Sequence, residues 1–290
     1  MNIIVPTDFS LTALNAVIYA ANLAKHLNSR IKLLHVVTPY VSKTTFLKID
    51  PDELLDTAVT KLAAEAKRIS EDFDVHCTSV VAAGDVAEEI LRVASESVDS
   101  MIVMGSNKRR YFLFGNITSD VVEKSVVPVL VLPRDMEFTP YSNIVFATDY
   151  EPSDLKDLGS LVSIARKFDA KIGVVHVVNR FEEEEEDYDL GLAGVFNAEV
   201  KRQIAYANIR CEEYQFTDIP DGIQSYAEEE HADLLVVSTR QKKFIQRLFG
   251  KSVTKELLFE FDQPLLIYHA TEKEEVTEYL SEESYNFTFS

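Results

Sequence analysis

Short β-branched runs alternate with longer segments of helical period along the chain. In the first half, runs at 2–6, 31–37, 75–82, 99–104 and 128–132 predict five strands, nearly all apolar, as strands covered on both faces of a parallel sheet are. Ser10 is placed to cap a helix carrying Leu11, Leu14, Val17, Ile18, Ala21 and Leu23, whose spacing predicts one buried stripe. Asp50 and Pro51 open a second helix through about Ser70, Gly84-Asp85 a third ending near Ser97, and a fourth begins after Gly115. Right-handed crossovers between such elements predict an open, doubly wound α/β sheet, with ligands at the carboxyl ends of strands where strand order reverses.

The plan is written twice. Asn2 to Ser10 reads NIIVPTDFS, and Asn143 to Glu151, 141 positions later, reads NIVFATDYE. Ile31-Lys32-Leu33-Leu34-His35-Val36-Val37 returns at the same spacing as Ile172-Gly173-Val174-Val175-His176-Val177-Val178. Ser100 to Gly105 returns 133 positions on as Asp233 to Ser238, and Pro128 to Leu132 returns 136 on as Pro264 to Tyr268. Four blocks in one order indicate duplication. The expected organisation is one domain over 1–138, a second over 139–270, and an acidic tail over 271–290, with Pro133 to Ser142 as linker.

Length agrees with this count, since 290 residues is about two domains' worth. Charge narrows the partners. Residues 1–138 hold 14 Lys/Arg and 18 Asp/Glu, a net −4, and 139–290 hold 15 and 30, a net −15, giving −19 in all. A field of that sign repels phosphate backbones and anionic lipid, so neither nucleic acid nor membrane is an expected partner. Glu182 to Asp189 contributes seven acids and reads as a solvated face or mobile loop. Cys77 and Cys211 each lie just inside an apolar run and read as buried thiols of a reduced compartment. The first residues lack a basic region followed by an apolar stretch of roughly 7 to 15 residues, and no apolar run approaches roughly 18, so a cytoplasmic protein is expected.

Candidate chemistry gathers at strand ends. Asp8 follows the first strand, where a carboxylate accepts hydrogen bonds from a ribose or an adenine amino group, or else serves the helix N-terminus beside it. Gly105 to Thr118 joins strand four to helix four: a glycine at the strand end admits a pyrophosphate, and the helix start opposite offers free N–H groups. Lys108, Arg109 and Arg110 lie between them, and Lys242, Lys243, Arg247 and Lys251 occupy the equivalent loop of the second copy. In so acidic a chain these loops are an anion trap or a patch for an acidic protein partner. Gly250-Lys251-Ser252 is no P-loop, because Ile245 stands where that motif needs glycine. His35 and His176, mid-strand among apolar neighbours, read as satisfied core histidines, and the remaining histidines form no metal-ligand spacing with the cysteines.

Pro6-Thr7-Asp8-Phe9-Ser10, the Leu33 to Val37 strand, Val103-Met104-Gly105-Ser106, and Gly115-Asn116-Ile117-Thr118 leading to Pro128-Val129-Leu130-Val131 together resemble the universal stress protein family. The resemblance runs from residue 2 to about 270 and covers both copies. It implies two tandem doubly wound domains of the adenine nucleotide alpha hydrolase-like type, each with a five-stranded parallel sheet, related by a pseudo-two-fold axis and paired through the last strands. Many members of that family bind ATP through Gly-x-x-Gly, nine residues, Gly-Ser/Thr, with a strand-one Asp and a strand-two Val holding the base. The resemblance therefore implies nucleotide contacts at Pro6, Thr7, Asp8, Val36, Met104, Gly105, Ser106, Lys108, Arg109, Gly115, Asn116, Ile117 and Thr118, with magnesium entering only alongside the nucleotide.

The first copy departs from that pattern in three ways: Lys108 replaces the second glycine, nine residues rather than twelve separate Gly105 from Gly115, and Asn116 replaces Ser/Thr. The second copy departs further, with Ser238 at the first glycine and Gln241 at the second. The expectation is a non-enzymatic stress-response protein that binds ATP in its first copy, slow ATP hydrolysis being the least supported activity. The alternative is a nucleotide-free scaffold for dimerisation and protein partners.

Overall fold

The computed structural model describes residues 1–38, 51–106, 116–179, 186–238 and 263–269. The first copy runs β1 (Asn2–Pro6), α1 (Leu11–Leu27), β2 (Arg30–Val37), α2 (Pro51–Phe73), β3 (Cys77–Ala83), α3 (Val86–Ala94), β4 (Ser100–Gly105), α4 (Asn116–Lys124) and β5 (Val129–Leu132). The second runs β6 (Asn143–Ala147), α5 (Pro152–Phe168), β7 (Lys171–Asn179), α6 (Glu186–Gln203), β8 (Ile209–Phe216), α7 (Ile219–Glu229), β9 (Leu234–Ser238) and β10 (Leu265–Tyr268). The five strands and four helices expected of the first copy are all present. In the second copy the segment equivalent to α4 lies outside the described residues.

All ten strands form one sheet in the order β3-β2-β1-β4-β5-β10-β9-β6-β7-β8. Exchanging the copies reverses this order onto itself, which is the pseudo-two-fold relation. Pairing is parallel within each copy and antiparallel where β5 meets β10, with Leu265 opposite Val131, Leu266 opposite Leu130 and Ile267 opposite Val129. Both of these four-residue strands are wholly buried and apolar. Left apart, each would present an apolar edge to water. The last-strand pairing that the resemblance implies is made inside a single chain.

Strand alternation sorts the core into two layers. Ile3, Val5, Met101 and Val103 pack beneath α1 and α2, as Ile144, Phe146 and Val236 pack beneath α5 and α6. Ile4, Ile102, Met104 and Val131 point the other way, towards α3 and α4, and Val145, Leu235 and Val237 towards α7. On α1 the buried side differs from the expected stripe. Leu11 is 80% exposed and Ile18 also faces outward, while Ala13, Ala16, Val17, Tyr19, Ala20, Ala21, Leu23 and Ala24 are buried. An alanine-rich face brings the helix axis close to the sheet, and Leu11, in the first turn, falls beyond its rim.

One other expectation changes. Cys77 and Cys211 are half-buried rather than buried. The acidic run is helical from Glu186 to Asp189, which begin α6, and residues 182–185 lie outside the described residues.

The linker is clamped between the copies. Asn15 donates from Nδ2 to the Met136 carbonyl at 3.0 Å, and the hydroxyls of Tyr19 on α1 and Tyr141 on the linker are 2.9 Å apart in the core. Phe138 packs edge-on against Tyr19, and His26 stacks on Phe168 of α5. At the linker's end the Asp233 carboxylate accepts from the backbone N–H groups of Ser142 and Asn143 at 2.6 and 2.8 Å. Replacing Tyr141 with Phe strands the buried Tyr19 hydroxyl and should cost about 1–3 kcal/mol in urea denaturation. Changing both tyrosines to Phe should cost less than the two single changes summed, because neither hydroxyl is then left alone; strict additivity would count against the pair.

Candidate functional site

The order β2-β1-β4 places a topological switch point between β1 and β4, and the carboxyl ends of these strands form the mouth of the first copy. There the chain turns sharply. Phe9 sits in the left-handed region at φ 61°, its N–H donating to Thr7 Oγ1 at 3.1 Å. Ser10 donates its N–H to Asp8 Oδ1 at 2.9 Å and caps α1 by accepting from the Ala13 N–H at 3.2 Å. His35 Nδ1 meets the Thr7 carbonyl at 2.7 Å, so that nitrogen carries the proton, and its ring lies 4.6 Å from Phe9. Lys61 from α2 rests over the other ring at 3.8 Å. His35 is thus a half-buried brace for the turn, bonded as the sequence reading expects.

Asp8 is exposed at the rim. Burial is the largest single influence and raises its pKa, but hydrogen bonds from the Ser10 hydroxyl and N–H, its own backbone N–H and the nearby His35 together outweigh that and hold it below the usual carboxylate value. It is an oriented carboxylate that serves the turn into the helix start, as the second reading of its role expects.

The candidate residues divide between the faces of the sheet. Thr7 and Gly105 face α1, whereas Met104 and half-buried Val36 pack with the layer under α3 and α4. Ser106 is buried, its N–H on the Leu132 carbonyl at 2.8 Å and its hydroxyl without a hydrogen-bond partner among the described residues. Thr118 is buried near the start of α4, Ile117 beside it is partly exposed, Asn116 begins that helix, and Pro6 ends β1. Lys108, Arg109, Arg110 and Gly115 lie outside the described residues, as do Lys242, Lys243, Arg247, Gly250, Lys251, Ser252 and the 271–290 tail.

Gly105 has a cause that its sequence context did not disclose. A Cβ there would lie 2.7 Å from Thr12 Cγ2 and 2.9 Å from the Thr12 carbonyl oxygen, so the first turn of α1 itself demands glycine. In the second copy the pair is Ser238 and Ser153, 133 and 141 positions on: the side chain gained on the strand coincides with a methyl lost from the helix.

The second mouth repeats the turn and changes what fills it. Tyr150 takes φ 62°, its N–H donates to Thr148 Oγ1 at 2.9 Å, its ring stacks on His176 at 4.3 Å, and His176 Nδ1 donates to the Thr148 carbonyl at 2.8 Å. At the positions of Ala13 and Ala16, however, stand Asp154 and Asp157. Asp154 is fully buried and accepts from the Thr148 hydroxyl at 2.6 Å. Burial first, then the negative charge of Asp149, pushes its pKa well above the usual carboxylate range. Sequence reasoning missed these two residues. The signal was available, since the 141-residue spacing aligns them with two alanines on the inward face of α1.

Other reactive groups are muted. Burial pushes the Cys77 thiol up to about 12 and the Cys211 thiol to about 11, so neither is a thiolate at neutral pH. Among the described residues no group of three or more His, Cys, Asp or Glu is arranged to hold a metal ion, and no helix is long and apolar enough to cross a membrane.

Two doubly wound half-sheets joined through their last strands, each with an Asp-bearing turn at its switch point, define a duplicated α/β protein of the adenine nucleotide alpha hydrolase-like class. The chain matches the universal stress protein family twice, over residues 1–133 and 140–269, and it belongs to that family of stress-response proteins. It is 28% identical over 152 residues to a universal stress protein of Methanocaldococcus jannaschii, a match spanning 46% of this chain and 94% of that one. Universal stress protein YxiE of Bacillus subtilis is 29% identical over 139 residues, spanning 43% and 92%. The crystal structure of a universal stress protein from Archaeoglobus fulgidus shares the fold over 94% of this chain and 97% of its own, with TM-score 0.68 and 20% identity.

Gly105→Ala should destabilise the protein by about 1–3 kcal/mol through overpacking against Thr12, read as a lowered urea midpoint. Thr12→Ser should recover part of that loss in the double variant by reproducing the Ser153–Ser238 solution of the second copy. Equal destabilisation with and without the Thr12 change would show that the clash lies elsewhere.

Proposed function

We propose that the first copy binds an adenine nucleotide, ATP, as the regulatory ligand of a stress-response protein, and that the second copy does not. The observation carrying this reading is the contrast between equivalent mouths. The first has the carboxylate of Asp8 at its rim and alanines at 13 and 16, with the buried Ser106 hydroxyl in its wall lacking a partner among the described residues. The second has Asp154 and Asp157 where those alanines stand, and with Asp149 they occupy the corresponding volume with carboxyls whose net negative charge disfavours a polyphosphate. Family membership supports the same reading.

Asp8 and Val36 would hold the base and ribose, Ser106 would donate to the ligand, and Thr118 with the start of α4 would meet phosphate. Lys108, Arg109 and Arg110 supply positive charge in place of the missing glycine. No catalytic residue is assigned. The two free cysteines suit a reducing, cytoplasmic setting. One observation favours the alternative of a nucleotide-free scaffold whose basic loops dock an acidic protein: Gly105 is required by Thr12, so its presence does not by itself imply phosphate.

Calorimetric titration with ATP and adenosine separates the two. Asp8→Ala should weaken both ligands. Changing Lys108, Arg109 and Arg110 together to Ala should weaken ATP far more than adenosine, each lost charge-assisted contact being worth about 1.5–3 kcal/mol. ATP affinity should also fall with added salt. No binding of either ligand to the wild type would favour the scaffold, and equal losses for ATP and adenosine in the triple variant would mean general disruption of the loop. Gly105 variants are unsuitable probes because they act through Thr12.

A further inference from the structure

The three aspartates of the second mouth are not explained by the absence of a nucleotide there, since small apolar residues would exclude it at lower cost. Asp154 is fully buried; Oδ2 accepts from the Thr148 hydroxyl at 2.6 Å, while Oδ1 is buried with no hydrogen-bond donor among the described residues. Asp149 is half-buried, but its Oδ1 is itself buried and without a donor among the described residues. Asp149 directly follows Thr148, whose hydroxyl holds Asp154, and after burial its negative charge helps raise the Asp154 pKa. Two ionised carboxylates so placed repel one another with little water to screen them, whereas a carboxylic acid beside a carboxylate forms one strong O–H···O bond. The three carboxylates do not converge as a metal-ligand group.

We propose that Asp149 and Asp154 share one proton, which makes the second mouth a proton-binding site and latches the end of β6 to the first turn of α5. The chain of contacts is continuous: the Thr148 hydroxyl donates to Asp154, and the shared proton joins Asp154 to Asp149, whose neighbour Tyr150 is held in the left-handed region. Loss of the proton leaves two charges in contact and loosens the β6–α5 turn.

The other groups around the pair come from every packed element. Asp157 approaches from α5 and adds negative charge. From β7, His176 faces the Thr148 carbonyl and stacks on Tyr150, against which α6 lays Phe196. Strand β9 contributes the Ser238 hydroxyl, 1% exposed and without a partner among the described residues. From β10, burial and Asp157 raise the Tyr268 phenol, and just beyond that strand burial lowers His269 to about 4, so at neutral pH neither of these two carries charge. The N-terminus of α5 supplies partial positive charge.

The expected sign follows from linkage. Between the ordinary carboxylate pKa and its raised value in the fold, the native state holds a proton that the unfolded chain has lost, so stability falls as pH rises through that window. Asp154→Asn keeps the shape, donates permanently towards Asp149 and has no proton to lose. Urea denaturation of wild type, Asp154→Asn and the exposed-charge control Glu53→Gln should be compared between about pH 5 and 9. Relative to Asp154→Asn, the wild-type folding constant should fall by up to about tenfold per pH unit, while Glu53→Gln tracks the wild type.

Amide exchange over Tyr150 to Leu155 should accelerate with pH beyond its intrinsic chemical rate in wild type only. On wild type itself, carbon-13 carboxyl NMR should show one aspartate titrating well above the usual range. The proposal is overturned if wild type and Asp154→Asn run parallel, or if every aspartate is ionised by about pH 5. It is equally overturned if excess magnesium or calcium restores wild-type stability at high pH, because the occupant is then a cation.

Discussion

The antiparallel pairing of β5 with β10 is the contact on which the rest of the molecule depends. Each copy is a half-sheet ending in four fully buried apolar residues, and neither end tolerates water. Placed side by side, Leu130, Val131, Leu265 and Leu266 turn two exposed edges into the centre of a ten-stranded sheet. Burying such side chains is worth roughly 1.5–3 kcal/mol apiece, which exceeds what the few backbone hydrogen bonds of so short a pairing supply. The reversal of strand order across the seam orients the two copies, and with them α1 and α5. Those helices meet the linker through Tyr19, Tyr141, Phe138 and Phe168, so the clamp on the linker follows from the seam.

The duplicated turns show how two copies of one scaffold part in chemistry without parting in shape. Phe9 and Tyr150 occupy the same left-handed conformation, backed by the same Thr hydroxyl and the same His brace. What differs is the inward face of the following helix. Ala13 and Ala16 bring no ionisable group to the first mouth, and Asp154 and Asp157 bring two carboxyls to the second. Ser238 with Ser153, against Gly105 with Thr12, shows a compensating exchange one layer deeper. A mouth lined by alanines and one lined by carboxyls are thus built on equivalent backbones.

Much of this was legible in the chain. Runs such as Asn2–Pro6 and Lys171–Asn179 are strands by composition alone, and Ser10 announced the start of α1 because a cap acts over three residues. Parallel pairing within each copy followed from alternation with helices, and the Thr-Asp-aromatic turn from its recurrence 141 residues later. The buried side of α1 was read less well. Periodicity favoured the large residues Leu11 and Ile18, and the sheet chose the alanines, because close approach of helix to sheet selects volume before hydrophobicity.

The sequence by itself determined the order of elements, the duplication and the residues that turn the chain at each strand end, since these depend on steric and hydrogen-bonding preferences acting over a few positions. Tertiary structure alone decided which partners those residues meet. That Gly105 answers to Thr12, that Tyr19 meets Tyr141, and that Asp154 is buried against Asp149 all rest on packing between separate elements. An aspartate at the start of a helix is usually a solvated cap, and nothing local separates Asp154 from that case. Its burial arises because α5 lies on the sheet beside β6 and β9, which removes water from a carboxyl that residue type alone would leave in it.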